Sequence, residues 1–198
     1  MTEAEKCAAG LLYQTIDPQR EAAHLRCADL CVRYNQLLPS QTAQRDALLR
    51  QILGSVGKNI YVEPTFYCSF GTNITVGDDF YANHNCVFID PAPITFGDHV
   101  MIAPSCGFYT AGHPLDVPRR NSGLEFAYPI TVGDNVWIGG NTVVLPGVTI
   151  GSNTVIGAGS VVTRDIPAGV LAFGNPCRVI RPITDADAEG YLIPPKTW

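Results

Sequence analysis

Residues 130–165 read ITVGDNVWIGGNTVVLPGVTIGSNTVIGAGSVVTRD, and their spacing decides the fold. Val132, Ile138, Val144, Ile150, Ile156 and Val162 recur every six residues. Two positions before each stands another apolar or small residue: Ile130, Val136, Thr142, Val148, Thr154 and Ser160. Side chains two apart share one face of a strand, so each hexad predicts a very short strand with an inward face and then a corner. A six-residue period is that of a solenoid in which three hexads make one triangular coil and the coils stack at strand spacing. It places Val132 over Ile150, Ile138 over Ile156 and Val144 over Val162, each coil burying its aliphatics on its neighbour's.

Working outward, the register continues upstream as Phe96, Ile102 and Phe108. Beyond a two-residue slip at Pro91-Ala92-Pro93 it continues as Val76, Ala82 and Phe88. The pattern fills most of residues 59–176, about five coils once one excursion is set aside. Gly77-Asp78-Asp79, Gly97-Asp98, Gly133-Asp134-Asn135 and Gly151-Ser152-Asn153 supply residue types that tolerate unusual backbone angles at corners. From about Thr110 to Pro129 the register is lost in TAGHPLDVPRRNSGLEFAYP, with His113 at its root. Long excursions from a regular scaffold are more often functional than structural.

Before residue 58 the pattern is helical. Thr2 and Glu5 fit a capping box, and Ala23, Cys27, Leu30, Cys31, Tyr34, Leu37 and Leu38 keep helical spacing. A second helix is expected after Pro39-Ser40, with Leu48, Leu49, Ile52 and Leu53 inward and Gly54 as its stop. The expected organisation is a helical cap over 1–57 and a solenoid over 58–198, with loop 110–129 and a C-terminal closing segment.

The 198 residues are 46% hydrophobic and 16% charged, which fits a compact domain and excludes a disordered polar chain. Net charge −5 leaves no basic field for a nucleic acid. No stretch is apolar for long enough to span a bilayer, and MTEAEKCAAG carries charges where a signal peptide has its apolar run. A cytoplasmic, membrane-free protein is expected. The seven cysteines are odd in number and scattered, which reads as reduced thiols. Cys27 and Cys31 share a helical face and are expected to pack; no metal site is expected.

NIYVEPTFYCSFGTNITVGDDFYANHNCVFID, IAPSCGFYTAGHP and YPITVGDNVWIGGNTVVLPGVTIGSNTVIGAGSVVTRDIPAGVLAFGNPCRVIR resemble the hexapeptide-repeat acetyltransferases, and within them the maltose and galactoside O-acetyltransferase group. GHP, VWIGG and GNPCRVIR are the selective parts, and GLLYQTIDPQREAAHLR is similar to that group's acceptor-side cap. The resemblance implies a mainly-β, left-handed parallel β-helix. It implies an acyltransferase, an acetyl-CoA-dependent O-acetyltransferase acting on a hydroxyl of a maltose-, glucoside- or galactoside-like sugar. It also implies a homotrimer whose active sites are shared between subunits.

Such chemistry needs a base for the alcohol, donors for the developing oxyanion, and a groove for a long anionic thioester. An imidazole, titrating at about 6.5, can take the alcohol's proton and return it to the leaving thiolate, and His113 is the candidate. By resemblance, Asn83 hydrogen-bonds the reacting hydroxyl and the Gly140 N–H stabilises the oxyanion. Glu125 is a candidate to orient His113. Ser69 and Tyr81 line the acceptor pocket with Asp90 and with Asp17 of the cap, although the spacing also permits Thr15 there. Trp137, Ala158 and Thr163 match the pantetheine groove, and Arg164, Arg178 and Arg181 its phosphate end. Asp90 is followed by Pro91 where galactoside-specific members carry a second carboxylate, so the maltose-like branch fits better. Competing readings are a transferase of this fold acting on an antibiotic or serine, a zinc enzyme using His84, His99 and His113, and a non-catalytic solenoid with outward threonine rows.

Overall fold

A computed structural model of the chain describes residues 1–188, so the end of the expected closing segment, 189–198, lies outside the described residues. The cap holds α1 (Glu3–Ala8), α2 (Pro18–Asn35) and α3 (Thr42–Ile52). Thr2 caps α1 in the expected box, its hydroxyl accepting from the Glu5 N–H while the Glu5 carboxylate accepts from the Thr2 N–H. The buried stripe of α2 is Cys27, Leu30, Cys31 and Tyr34; Ala23 is exposed, and Leu37 and Leu38 lie past the helix end. In α3, Leu48, Leu49 and Ile52 are buried as expected, joined by Arg45, which the apolar pattern does not reveal. Arg45 donates to the Tyr34 and Tyr61 hydroxyls and lies 3.5 Å from Glu63, so its charge is partnered. The helix ends two residues before Gly54. That glycine serves a close approach, since a Cβ there would lie 2.1 Å from the Thr72 carbonyl oxygen.

The solenoid begins at Ser55–Val56, directly after α3. Three parallel sheets form its faces. The first face stacks Ser55–Val56, Ile74–Val76, Ile94–Phe96, Ile130–Val132 and Thr149–Ile150. The second stacks Tyr61–Val62, Tyr81–Ala82, Met101–Ile102, Trp137–Ile138, Val155–Ile156 and Val170–Gly174; Cys177–Pro182 adds an antiparallel strand. The third stacks Phe66–Cys68, Cys86–Ile89, Gly107–Tyr109, Val143–Val144 and Val161–Val162. Five coils close, and Ile166 with Val170–Gly174 starts a sixth.

The predicted registers hold: Val132 pairs with Ile150, Ile138 with Ile156, Val144 with Val162, and Val76, Ala82 and Phe88 with Phe96, Ile102 and Phe108. The inward hydroxyls of Thr142 and Thr154 donate to the Gly139 and Pro167 carbonyls, so no buried donor is orphaned there. Cap and solenoid share one core, and Asn35 extends the ladder at the lower edge, its side-chain amide donating to the Phe66 carbonyl and accepting from the Phe66 N–H.

The corners divide labour differently from the expectation. Positive φ falls on the third corner residue, at Asp79, His99, Asn135 and Asn153, between 55° and 59°. The glycine opening a corner is there for stacking: a Cβ on Gly77 would lie 2.4 Å from Asp98 Oδ1, which accepts from the Asp78 N–H of the coil below. No helix among the described residues is long and apolar enough to cross a membrane.

Candidate active site

The excursion leaves the third face after Tyr109 and folds as a hairpin, Ala111–Gly112 against Leu124–Ala127, with α4 (Val117–Asn121) at its tip. Leu124–Ala127 also pairs with Tyr13–Gln14 of the cap, placing Tyr13 opposite Glu125. Cap and excursion are thereby welded into one three-stranded sheet, and His113 stands at its edge.

His113 Nδ1 lies 3.0 Å from the Leu124 carbonyl oxygen. A carbonyl only accepts, so Nδ1 carries the proton and Nε2 keeps its lone pair. The orienting contact expected of Glu125 is thus made by a main-chain carbonyl. Glu125 lies on the other side of the ring, Oε2 3.9 Å from Nε2, and its Oε1 accepts from the buried Tyr13 hydroxyl. Burial and the bonded carboxylate push the Tyr13 phenol well above its ordinary range, keeping it a donor.

A cleft of roughly 500 Å³ opens beside Glu125 between cap and solenoid. Thr15, Ile16, Arg20, Ser69, Phe70 and Ile89 are among its lining residues, a mixture of apolar wall and sparse polar groups suited to a small polar ligand. The Arg20 guanidinium sits 4.8 Å and 4.9 Å from the Tyr13 and Phe70 ring centres. Arg20 and Phe70 were not anticipated, because neither belongs to a motif and only folding brings them together.

Two expected acceptor residues do other work. Asp17 is the N-cap of α2, its Oδ1 accepting from the Gln19 and Arg20 N–H groups, and it lies outside this cleft; Thr15, the alternative, lines it. Asp90 is 0% exposed and cannot touch an acceptor. Its Oδ1 accepts from the Ser69 and Phe70 N–H groups at 2.9 Å, so it fixes the turn that presents Ser69. Oδ2 has no partner among the described residues, and burial pushes the carboxyl up to about 6.

That shift has a sign. The folded value lies above the ordinary 3.8, so between about pH 4 and 6 the unfolded chain ionises first and stability falls as pH rises. The loss, complete above about pH 6, amounts to about 3 kcal/mol. Asp90→Asn should remove this slope from melting temperatures measured between pH 4 and 7. An unchanged slope in the variant would assign it to other groups.

The remaining candidates fall on two edges of the prism. Ser69, His113, Thr163 and Arg164 lie on the edge between the third and first faces. Asn83, Gly140 and Ala158 lie on the edge between the second and third, with Tyr81 and Trp137 on the second face beside it. The structure therefore does not bring Asn83, Tyr81 or Gly140 to His113 within one chain. The Gly140 N–H makes no hydrogen bond among the described residues. Arg178 and Arg181 lie on the closing strand, exposed, where Arg181 is bound by both oxygens of Asp187 at 2.7 and 2.6 Å. That pair holds the Asp187 carboxyl down at about 2 and occupies the guanidinium proposed for phosphate. His84, His99 and His113 lie on three different edges, so they cannot converge on one metal within a chain. The outward threonines Thr75, Thr95, Thr131 and Thr149 form a single file on the first face, not paired rows.

The profile described as a maltose acetyltransferase hexapeptide capping motif matches residues 6–57, and that of the bacterial transferase hexapeptide (six repeats) matches 129–164. The galactoside O-acetyltransferase of Escherichia coli is 44% identical over 97% of this chain and 95% of its own. The chain belongs to the hexapeptide-repeat acetyltransferases. A crystal structure of a maltose O-acetyltransferase from Clostridium difficile superposes with a TM-score of 0.92, at 49% identity over 93% of this chain and 99% of the other. A galactoside acetyltransferase in complex with coenzyme A gives 0.94, at 44% identity over 96% of each chain. As a family member the protein is an acyltransferase on a left-handed β-helix, capped at its N-terminal end.

Proposed function

We propose that this acetyltransferase moves the acetyl group of acetyl-CoA to a hydroxyl of a maltose-, glucoside- or galactoside-like sugar. The observation that carries the reading is His113, its Nδ1 proton on the Leu124 carbonyl and its Nε2 toward Glu125 at the cleft. Nε2 takes the proton of the acceptor hydroxyl, and the oxygen attacks the thioester carbonyl. The oxyanion accepts from the Gly140 N–H. Collapse expels the thiolate, which recovers the proton from Nε2, so the enzyme returns to its starting state. A panel of maltose, glucosides, galactosides, chitin oligomers and serine, assayed by thiol release from acetyl-CoA, is expected to show turnover with one or more of the sugars. Turnover with serine alone would overturn the sugar assignment.

The site is completed by a second copy of the chain in a homotrimer. Two faces carry outward apolar files: Tyr61, Tyr81, Met101, Trp137, Val155 and Leu171 on the second, and Tyr67, Val87, Val143 and Val161 on the third. The first carries threonines instead. Two unlike sticky faces meeting head to tail form a ring that closes, as three-fold symmetry does. Such contact brings the Asn83–Gly140 edge of one copy toward the His113 edge of the next, which a single chain keeps apart. Trp137 and Ala158 then flank the pantetheine arm, with Arg164 and Arg178 at the phosphates.

Among the described residues the Arg178 guanidinium donates only to the carbonyl of the preceding Cys177, whereas Arg181 is held by Asp187. Arg178→Ala is therefore expected to raise the acetyl-CoA KM by about tenfold or more with kcat nearly unchanged, since phosphate contacts are made equally in ground and transition states. Arg181→Ala should act mainly on the melting temperature. An unaltered KM for Arg178→Ala, with stability lowered instead, would leave that arginine a purely structural role.

A further inference from the structure

Outside the acceptor cleft, three thiols that the transfer chemistry does not use meet between cap and solenoid. Cys27 and Cys31, one turn apart on α2, face Cys68 at the end of Phe66–Cys68. Cys27 Sγ lies 3.4 Å and Cys31 Sγ 3.8 Å from Cys68 Sγ, and all three sulfurs fall within 4.8 Å of one another. Their exposures are 1%, 0% and 7%, and Cys68 borders a cavity of roughly 290 Å³ lined also by His24, Val32 and Tyr67. With metal–sulfur bonds of about 2.3 Å, three sulfurs in a planar trigonal set stand about 4 Å apart. That is close to the spacing already present. We propose that Cys27, Cys31 and Cys68 form a binding site for one soft monovalent cation, copper(I).

Ligand type and number select the ion. Sulfur donors favour copper(I) and zinc over harder cations, and structural zinc takes four ligands. Here no fourth cysteine, histidine or carboxylate joins the cluster among the described residues. His24 Nδ1 is engaged with the Ser69 carbonyl at 2.9 Å, and Asp90 Oδ1 with two main-chain amides. A three-coordinate monovalent ion is content with this set, whereas structural zinc would be left with an open fourth position. Each sulfur that ligates as thiolate releases one proton, and no electron is exchanged. The geometry was hidden in the sequence because Cys68 lies 41 residues from Cys27.

The test is an anaerobic titration of the reduced full-length protein with copper(I), buffered by a chromogenic copper(I) chelator. One copper per chain is expected, with a near-ultraviolet thiolate-to-copper band and a raised melting temperature, because three preorganised sulfurs hold the ion more tightly than the scattered thiols of the unfolded chain. Cys68→Ser and Cys31→Ser should each weaken binding at least about 100-fold, the effect of losing one of three ligands. Cys86→Ser, a buried thiol elsewhere in the solenoid, should leave it unchanged. X-ray absorption of the loaded wild-type protein needs no variant to fold. Three sulfur scatterers at about 2.3 Å are expected. Two sulfurs, nitrogen or oxygen ligands, or no copper retained against the chelator would overturn the site. Stoichiometric zinc that copper(I) does not displace would overturn the choice of ion.

Discussion

His113→Ala is expected to lower kcat by about 10²–10⁴-fold, the usual consequence of removing a general base, equivalent to about 3–5 kcal/mol of barrier. The change should leave the fold untouched. The side chain is 52% exposed, and its one hydrogen bond among the described residues is with a main-chain carbonyl in a hairpin whose other ladder bonds remain. The acetyl-CoA KM should move little, since the imidazole meets the thioester only at the reacting carbon. The pH–rate profile gives a second readout, because the limb produced by protonating the base must vanish with it. A variant keeping more than half the wild-type rate would show that another group takes the proton. Glu125→Gln should cost less, because Gln can still accept from Tyr13 and the Leu124 carbonyl still sets the tautomer.

What the sequence made legible follows from which interactions are local. The hexad aliphatics recur because each coil must bury its side chains on the next, so Val132 over Ile150 was readable from spacing. The corners were readable as corners, but the reason for each residue was not. Whether Gly77 is there for its backbone angle or for the approach of Asp98 depends on the coil above it, 20 residues on. The same holds at the site. His113 was conspicuous because it roots the long excursion from the period. Arg20 and Phe70 gained a role, and Thr15 replaced Asp17 at the cleft, only when the Tyr13–Gln14 strand docked on the excursion. Asp90 and Asp17 illustrate the converse: a carboxylate in the right stretch of sequence turned inward to hold amides, and residue type alone does not distinguish that from binding. Arg181 likewise matched a phosphate position, yet Asp187 six residues later holds it.

The second large effect is expected at the centre of the solenoid. Phe88 is 1% exposed and packs against Phe66, Phe96 and Phe108, with ring centres 5.4, 5.8 and 5.1 Å away. Its stack on Phe108 is nearly parallel, at 3°. Phe88→Ala removes the middle of this cluster. In a helical core neighbours can shift toward the gap, but here the coils are held at the strand spacing of about 4.8 Å by hydrogen bonds on every face, so the cavity stays open. The cost should therefore lie in the range of about 3–5 kcal/mol. Against a total stability of about 5–15 kcal/mol this is a large share, and for a chain of this size it lowers the melting temperature by about 6–20 °C. Phe88→Leu, which restores most of the volume, should recover more than half of the loss. Ile156→Val, one methylene trimmed in an upper coil, should cost only about 0.5–1.5 kcal/mol. Because the apparent stability of any oligomer depends on concentration, all variants are to be melted at one protein concentration. Phe88→Ala melting within about 2 °C of wild type would mean that the coils do close on the gap, and that the ladder is softer than its hydrogen bonding implies.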